Sequence, residues 1–160
     1  MVSLLALGHE PQPMKEGGMH TTSPDEMDRV LDEHFAYEAA HDLEGVMTTF
    51  ADDAQLDVVG FPTGPRRGTE QIRDLYEQMY KLLDQEEARP LHRYHGEEFL
   101  VDETIWSGQF DGVLVGAEGH RGHVSFRLLH VLEFRDGLIA RENVWLDSET
   151  IRRQLLSGDG

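Results

Sequence analysis

Two ionisable residues stand where the sequence pattern calls for apolar side chains. From Val124 the chain alternates, with Val124, Phe126, Leu128, His130, Leu132 and Phe134 on one face. Ser125, Arg127, Leu129, Val131 and Glu133 share the other. A period of two with one apolar face describes a half-buried antiparallel strand. Arg135-Asp136-Gly137 supplies a turn, because Asp tolerates a left-handed backbone and Gly adopts it freely. The return strand, Leu138 to Leu146, puts Leu138, Ala140, Glu142, Val144 and Leu146 on one face. His130 interrupts the first apolar face and Glu142 the second. Ionisable groups on buried faces of paired strands need a partner, a water or a chemical role. An imidazole that titrates near neutrality suits general acid or base work, and a facing carboxylate can hold its tautomer and stabilise the imidazolium. The plainer readings are a histidine satisfied by neighbouring backbone and a glutamate paired with Arg141 or Arg127.

Other candidates carry less weight. His34 falls inside a helical apolar stripe, where a lone histidine is more often a satisfied core residue. Tyr37 follows it by one turn and could offer a hydroxyl to a ligand carbonyl. Tyr94, Trp106 and Phe110 could line a cavity together with Phe126, or simply pack the sheet. Asp147 or Ser148 fits the N-cap of a closing helix. His92-x-x-His95 and His120-x-x-His123 have a spacing that suits metal binding on a helix or loop but not on a strand, where residues three apart point to opposite faces. No metal site is expected.

The elements that must position these residues begin at Ser23-Pro24-Asp25-Glu26, a capping box with Pro at the first helical position. The helix that follows runs to about His41 with Met27, Val30, Leu31, Phe35 and Ala39 as its stripe. Asp42 caps a second helix, Leu43 to Phe50. Ala54 to Val59 reads as a strand, Gly60 to Gly68 as a loop, and Thr69 as the cap of a third helix bearing Ile72, Leu75, Tyr76, Met79 and Leu83. Asp84 to Arg89 reads as a charged linker, followed by strands over Leu91–Val101 and Thr104–Val113. Residues 1–22, rich in Gly, Pro and Met, read as a mobile tail ahead of one domain over 23–157. Helices gathered on one face of a curved antiparallel sheet, with a short C-terminal helix, define an α+β fold.

Composition narrows the function. The chain has 160 residues, 39% hydrophobic and 28% charged, which suits one globular domain. Its formal net charge of −17 argues against nucleic acid and anionic membrane surfaces as partners. With no cysteine, disulfides and thiolate chemistry are excluded. The apolar run Val2–Leu7 is too short for a signal segment, so a cytoplasmic location is expected.

The stretch DLEGVMTTFADDAQLDVVGFPTGPRRGTEQIRDLY resembles the core of the nuclear transport factor 2-like superfamily, the ketosteroid isomerases above all. The stretch IWSGQFDGVLVGAEGHRGHVSFRLLHVLEFRDGLIARENVWLDSETIRRQL resembles the SnoaL-like polyketide cyclases. Together the likeness spans about Asp25 to Leu155. It implies a cone-shaped α+β fold, often a homodimer, with a pocket between helices and sheet. It implies also that the isomerase's Asp base falls at Val58, its helix Tyr at His34, and its protonated Asp at His130. All three groups are thus replaced, which disfavours steroid isomerisation by that route. The cyclases place a His at the position of His130 and an Asp on the next strand, near Glu142, with Asp147 as the other counterpart.

These readings converge on a cofactor-independent acid–base enzyme of aldol cyclase, isomerase or dehydratase type, acting on a hydrophobic, carbonyl-bearing small molecule. His130 would move the proton, Glu142 would orient it, and His34 or Tyr37 would bind the carbonyl oxygen. One alternative is a non-catalytic binding or dimeric adaptor domain. Another is an epoxide-opening hydrolase, which would need several carboxylates and an Arg in the pocket, and no such cluster is visible in the sequence.

Overall fold

The computed structural model describes residues 21–158. Helix α1 (Pro24–Ala39) starts with the expected capping box, Ser23 and Glu26 bonding each other's backbone reciprocally. Helix α2 (Leu43–Thr49) is capped by Asp42, whose carboxylate accepts from the Gly45 N–H. Strand β1 (Phe50–Val59) leads through a loop and the two-residue β2 (Arg66–Arg67) into α3 (Gly68–Leu82). The long strands β3 (Leu83–His95), β4 (Phe99–Asp111), β5 (Arg121–Arg135) and β6 (Leu138–Leu146) then form a meander, closed by α4 (Ser148–Ser157). The sheet order is β2-β1-β6-β5-β4-β3. Every pairing is antiparallel except β1 with β6, so the sheet is mixed where the sequence suggested a purely antiparallel one.

Several boundaries differ from expectation, each for a physical reason. The supposed linker Asp84–Arg89 is the first half of β3. It lies at the sheet edge, where charged side chains and Pro90 are tolerated because one edge and much of one face stay in water. The run Leu91–Val101 is not one strand but the end of β3, a turn and the start of β4. Thr69 does not cap α3. The N-cap position belongs to Arg67, held extended by its pairing with Gln55. Of the tail expected over 1–22, residues 1–20 lie outside the described residues, while Thr22 is buried and its hydroxyl accepts from the Gly137 N–H at 3.2 Å. No helix among the described residues is long and apolar enough to cross a membrane.

The hairpin turn uses Asp136 and Gly137, both left-handed (φ 53° and 76°), which matches the twist of the flanking strands. On β5 the buried positions are Val124, Phe126, Leu128, His130, Leu132 and Phe134, as the alternation predicts. On β4 the buried set is Leu100, Asp102, Thr104, Trp106, Gly108 and Phe110. These faces form the concave side of the sheet, over which α1 lays Met27, Val30 and Leu31, and α3 lays Ile72, Leu75 and Tyr76. Register shifts in the β3–β4 ladder at Gln85/Glu87 and Pro90/His92 are bulges, which bend a strand and deepen the concavity.

At the first of these bends the β3 backbone crosses close to Gly108. A Cβ there would lie 2.2 Å from the Asp84 carbonyl oxygen, which is backbone and cannot swing aside. Gly108→Ala is expected to cost about 1–3 kcal/mol by overpacking. Gly122→Ala, whose Cβ would meet only Leu155 at 3.7 Å, should change little. Denaturant unfolding of both variants checks the contrast.

Candidate active site

Between α1, α3 and the concave sheet lies a cavity of about 430 Å³. Its walls are chiefly apolar, with Phe35, Val58, Trp106, Phe110, Phe126 and Leu128 among them. His130 and Glu142 both face it, as do Glu38, Tyr76 and Arg93.

The ladder sets the central geometry. His130 pairs directly with Asp102 on β4 and with Val144 on β6, and Glu142 pairs with Leu132, one same-face step along from His130. Diagonal neighbours on one face come within reach of each other through long side chains. His130 Nε2 lies 3.9 Å from Glu142 Oε1, and His130 Nδ1 lies 4.0 Å from Asp102 Oδ2. Both distances exceed a hydrogen bond. His130 Nδ1 and Glu142 Oε2 are buried without a hydrogen-bond partner among the described residues. Asp102, in contrast, is fully engaged: Arg93 Nε donates to it at 3.0 Å and Thr104 Oγ1 at 2.8 Å. Arg93 also reaches Asp28 and Asp32 on α1, each at 3.0 Å, and so ties the edge strand to the helix beside the cavity.

Burial decides the charge state of the pair. Removal from water pushes the Glu142 carboxyl up to about 7, with the Glu38 charge adding to the rise and the His34 charge opposing it. Burial pulls His130 down to about 4, although Glu38 and Asp102 work against that. Between about pH 4 and 7, therefore, a neutral imidazole stands beside a protonated carboxyl. One can accept a proton and the other can donate one, in a wall with little water to compete.

The structure brings together only part of the predicted set. Val58, Trp106, Phe110 and Phe126 border the cavity with His130 and Glu142. His34 is completely buried one layer behind the wall, with its Nε2 3.8 Å from Glu142 Oε2. Tyr37 packs its ring over Gly45 and does not border the cavity. Tyr94 is 59% exposed and lies away from it. Asp147 caps α4, accepting from the Thr150 N–H at 3.0 Å, so Glu142 is the β6-side carboxylate that faces the cavity. Glu142 forms no pair with Arg141 or Arg127, which bind Glu133 and Glu103. His95 and His123 each meet a single carboxylate, Asp28 and Glu86, and no cluster suited to a metal occurs among the described residues.

Sequence reasoning missed Glu38, Asp102 and Arg93, and took Tyr76 for a core residue only. Two signals were present. Glu38 follows His34 by four residues and so shares its helix face. Asp102 has the strand parity of Leu100, Thr104 and Trp106 and breaks an apolar face just as His130 does. The absence of a carboxylate–arginine cluster is corrected as well: Glu38, Glu142 and Arg93 line the cavity, and Asp102 stands behind them, bound to Arg93 and 4.0 Å from His130.

A SnoaL-like domain family matches residues 31–142, and the chain belongs to that family. Its fold is that of several solved structures. A candidate SnoaL-like polyketide cyclase from Shewanella putrefaciens superposes with a TM-score of 0.70 at 16% identity, over 84% of this chain and 98% of that one. An LEH-like epoxide hydrolase from M. tuberculosis gives 0.65 at 21% identity, over 84% and 92%. A candidate isomerase from Bacillus subtilis gives 0.67 at 16% identity, over 84% and 94%. At such identities the likeness establishes the fold and leaves the chemistry to the site. No curated protein sequence matches the chain.

The two shifted groups leave opposite marks on stability. Glu142 binds its proton more tightly folded than unfolded, so its contribution is full below about 4.5 and is lost as pH rises towards 7. His130 holds its proton less tightly when folded, so its contribution is absent below about 4 and grows as pH rises to about 6.5. Across that window the two largely cancel. Glu142→Gln removes the falling term, so its melting temperature relative to the parent should climb steadily from pH 4.5 to 7. A flat difference would place the Glu142 carboxyl in the ordinary range.

Proposed function

We propose that this chain is a cofactor-independent acid–base enzyme acting on a hydrophobic, carbonyl-bearing small molecule, of the aldol cyclase, isomerase or dehydratase type. One observation carries the reading. A neutral imidazole and a protonatable carboxyl, 3.9 Å apart, face an apolar cavity, each with a polar atom that no group among the described residues satisfies.

In this reading His130 Nδ1–H points towards Asp102, which leaves Nε2 with its lone pair free on the side of Glu142. Nε2 takes a proton from the carbon next to the substrate carbonyl. The Glu142 carboxyl donates to the oxygen as the enolate forms, and the same pair can return the protons at another position. Asp102 stabilises the transient imidazolium, oriented by the hydrogen bonds from Arg93 and Thr104. The apolar walls exclude water that would level both groups, and matched donors in such a setting contribute more than in solvent.

A second reading draws on Glu38, Glu142 and Arg93, which line the cavity, and on Asp102, which Arg93 binds. Carboxylates that orient a water beside a proton donor can open an epoxide, and the same residues would serve. The two reactions separate cleanly. Deuterium incorporation from D₂O into enolisable aryl ketones and β-diketones, followed by mass spectrometry, reports the first. Diol formation from aryl and alicyclic epoxides reports the second. Under the first reading, the parent exchanges the ketone α-protons, and His130→Ala reduces the rate about 10²–10⁴-fold with the circular dichroism spectrum intact. Diol formation without exchange would favour the hydrolase. Neither reaction, with tight ketone binding that His130→Ala leaves unchanged, would make the domain a binding module.

A further inference from the structure

Behind the cavity wall lies a polar group that the proposed chemistry does not use. His34 is wholly buried, and its protons can be assigned by following the donors around it. Thr49 Oγ1 donates its proton to the Val46 carbonyl at 2.7 Å. The 2.8 Å contact between Thr49 Oγ1 and His34 Nδ1 therefore requires the hydrogen to sit on Nδ1. Tyr76 has likewise one proton, and it lies in the 2.6 Å bond to Glu38 Oε1. The 3.1 Å contact between the Tyr76 oxygen and His34 Nε2 then takes its hydrogen from the ring as well. Both ring nitrogens are donors, and only the imidazolium satisfies that.

The surroundings suit a cation. Around Nε2 stand Glu38 from the same helix at 3.3 Å, Glu142 from β6 at 3.8 Å, and the Tyr76 hydroxyl from α3. The titratable group facing this cluster from β5 is His130, which stays neutral. Phe35, Phe50 and Tyr76 pack around the ring, which is completely buried.

We propose that His34 is a standing imidazolium that never touches substrate and acts as a positioning residue, its buried positive charge holding the Glu142 carboxyl ready to release and regain a proton at neutral pH. This rests on the reading of Glu142 as the cavity acid. Burial by itself favours the neutral forms of His34 and Glu38, yet their mutual attraction prevails, raising His34 and lowering Glu38. For Glu142 the same imidazolium opposes the rise that burial imposes. Without it, burial and the Glu38 charge would hold the proton on the carboxyl more tightly.

The test has two arms, both on the full chain. In ¹⁵N-histidine-labelled protein, long-range ¹H–¹⁵N spectra at pH 7.5 should show a ring with both nitrogens protonated that His34→Gln removes. A neutral ring at His34, carrying one proton, would overturn the assignment. Side-chain ¹³C titration of Glu142 forms the second arm, with a midpoint near 7 in the parent that should move up by at least about one pH unit in His34→Gln. An unmoved midpoint would overturn the positioning role even if the ring proves doubly protonated. Failure of the ketone to exchange in the parent would instead remove the acid role of Glu142, while leaving the state of His34 as measured. Should His34→Gln fail to fold, Glu38→Gln probes the same cation from its other neighbour. It should drop the His34 signal to the neutral form at pH 7.5, and a persistent imidazolium there would contradict the account.

Discussion

Taking a charge out of water into an apolar wall costs several kcal/mol unless a partner stands ready. Glu142 and His130 sit in such a wall with no partner at hydrogen-bond distance among the described residues, and the cost is met by changing their protonation. The carboxyl keeps its proton and the imidazole loses its second one. This constraint organises the rest of the structure. The β4–β5–β6 register places a carboxylate directly opposite the histidine and another diagonal to it. The bulged edge strand curves the sheet so that these side chains converge on a cavity, and α1 closes over them.

The polar residues divide into two layers with opposite habits. At the wall, the His130–Glu142 pair is neutral and under-bonded. Behind and beside it, groups are well bonded: Asp102 with Arg93 and Thr104, and Glu38 with Tyr76 and His34. A fully connected network of this kind is rigid, and rigidity is what an under-bonded pair needs if it is to keep its geometry while waiting for a substrate. The single guanidinium of Arg93 serves Asp102 on the sheet and Asp28 and Asp32 on α1, so the clamp that orients the wall also fastens the helix above it.

Much of this was legible in the sequence, because alternation is a local property. The face of β5, the two residues that break the inward faces, the Asp136-Gly137 turn and the capping box at Ser23 follow from spacing alone. The start of β6 does not: strict alternation puts Leu138 and Ala140 inward with Glu142, but a register shift opposite Glu133/Phe134 buries Ile139 instead. The edge strand was not legible. Half of β3 is solvated, so its composition is that of a linker. Nor was the outer ring of the site, since Asp102 meets His130 only through a register that joins residues 28 positions apart. Glu38 and Tyr76 meet through the docking of α1 on α3, which no periodicity encodes. Tyr37 and Tyr94 illustrate the converse. Their residue types suit a ligand pocket, but the helix phase turns Tyr37 onto Gly45, and the edge position leaves Tyr94 in solvent.

Neutron diffraction from a deuterated crystal at pH 6 addresses the central claim most directly, since it places the protons themselves. The account predicts a deuteron on the Glu142 carboxyl and a single deuteron on the His130 ring, at Nδ1, leaving Nε2 bare towards the cavity. A bare Glu142 carboxylate beside a doubly deuterated His130 would contradict it, for the pair would then be an ordinary buried ion pair with no base to offer.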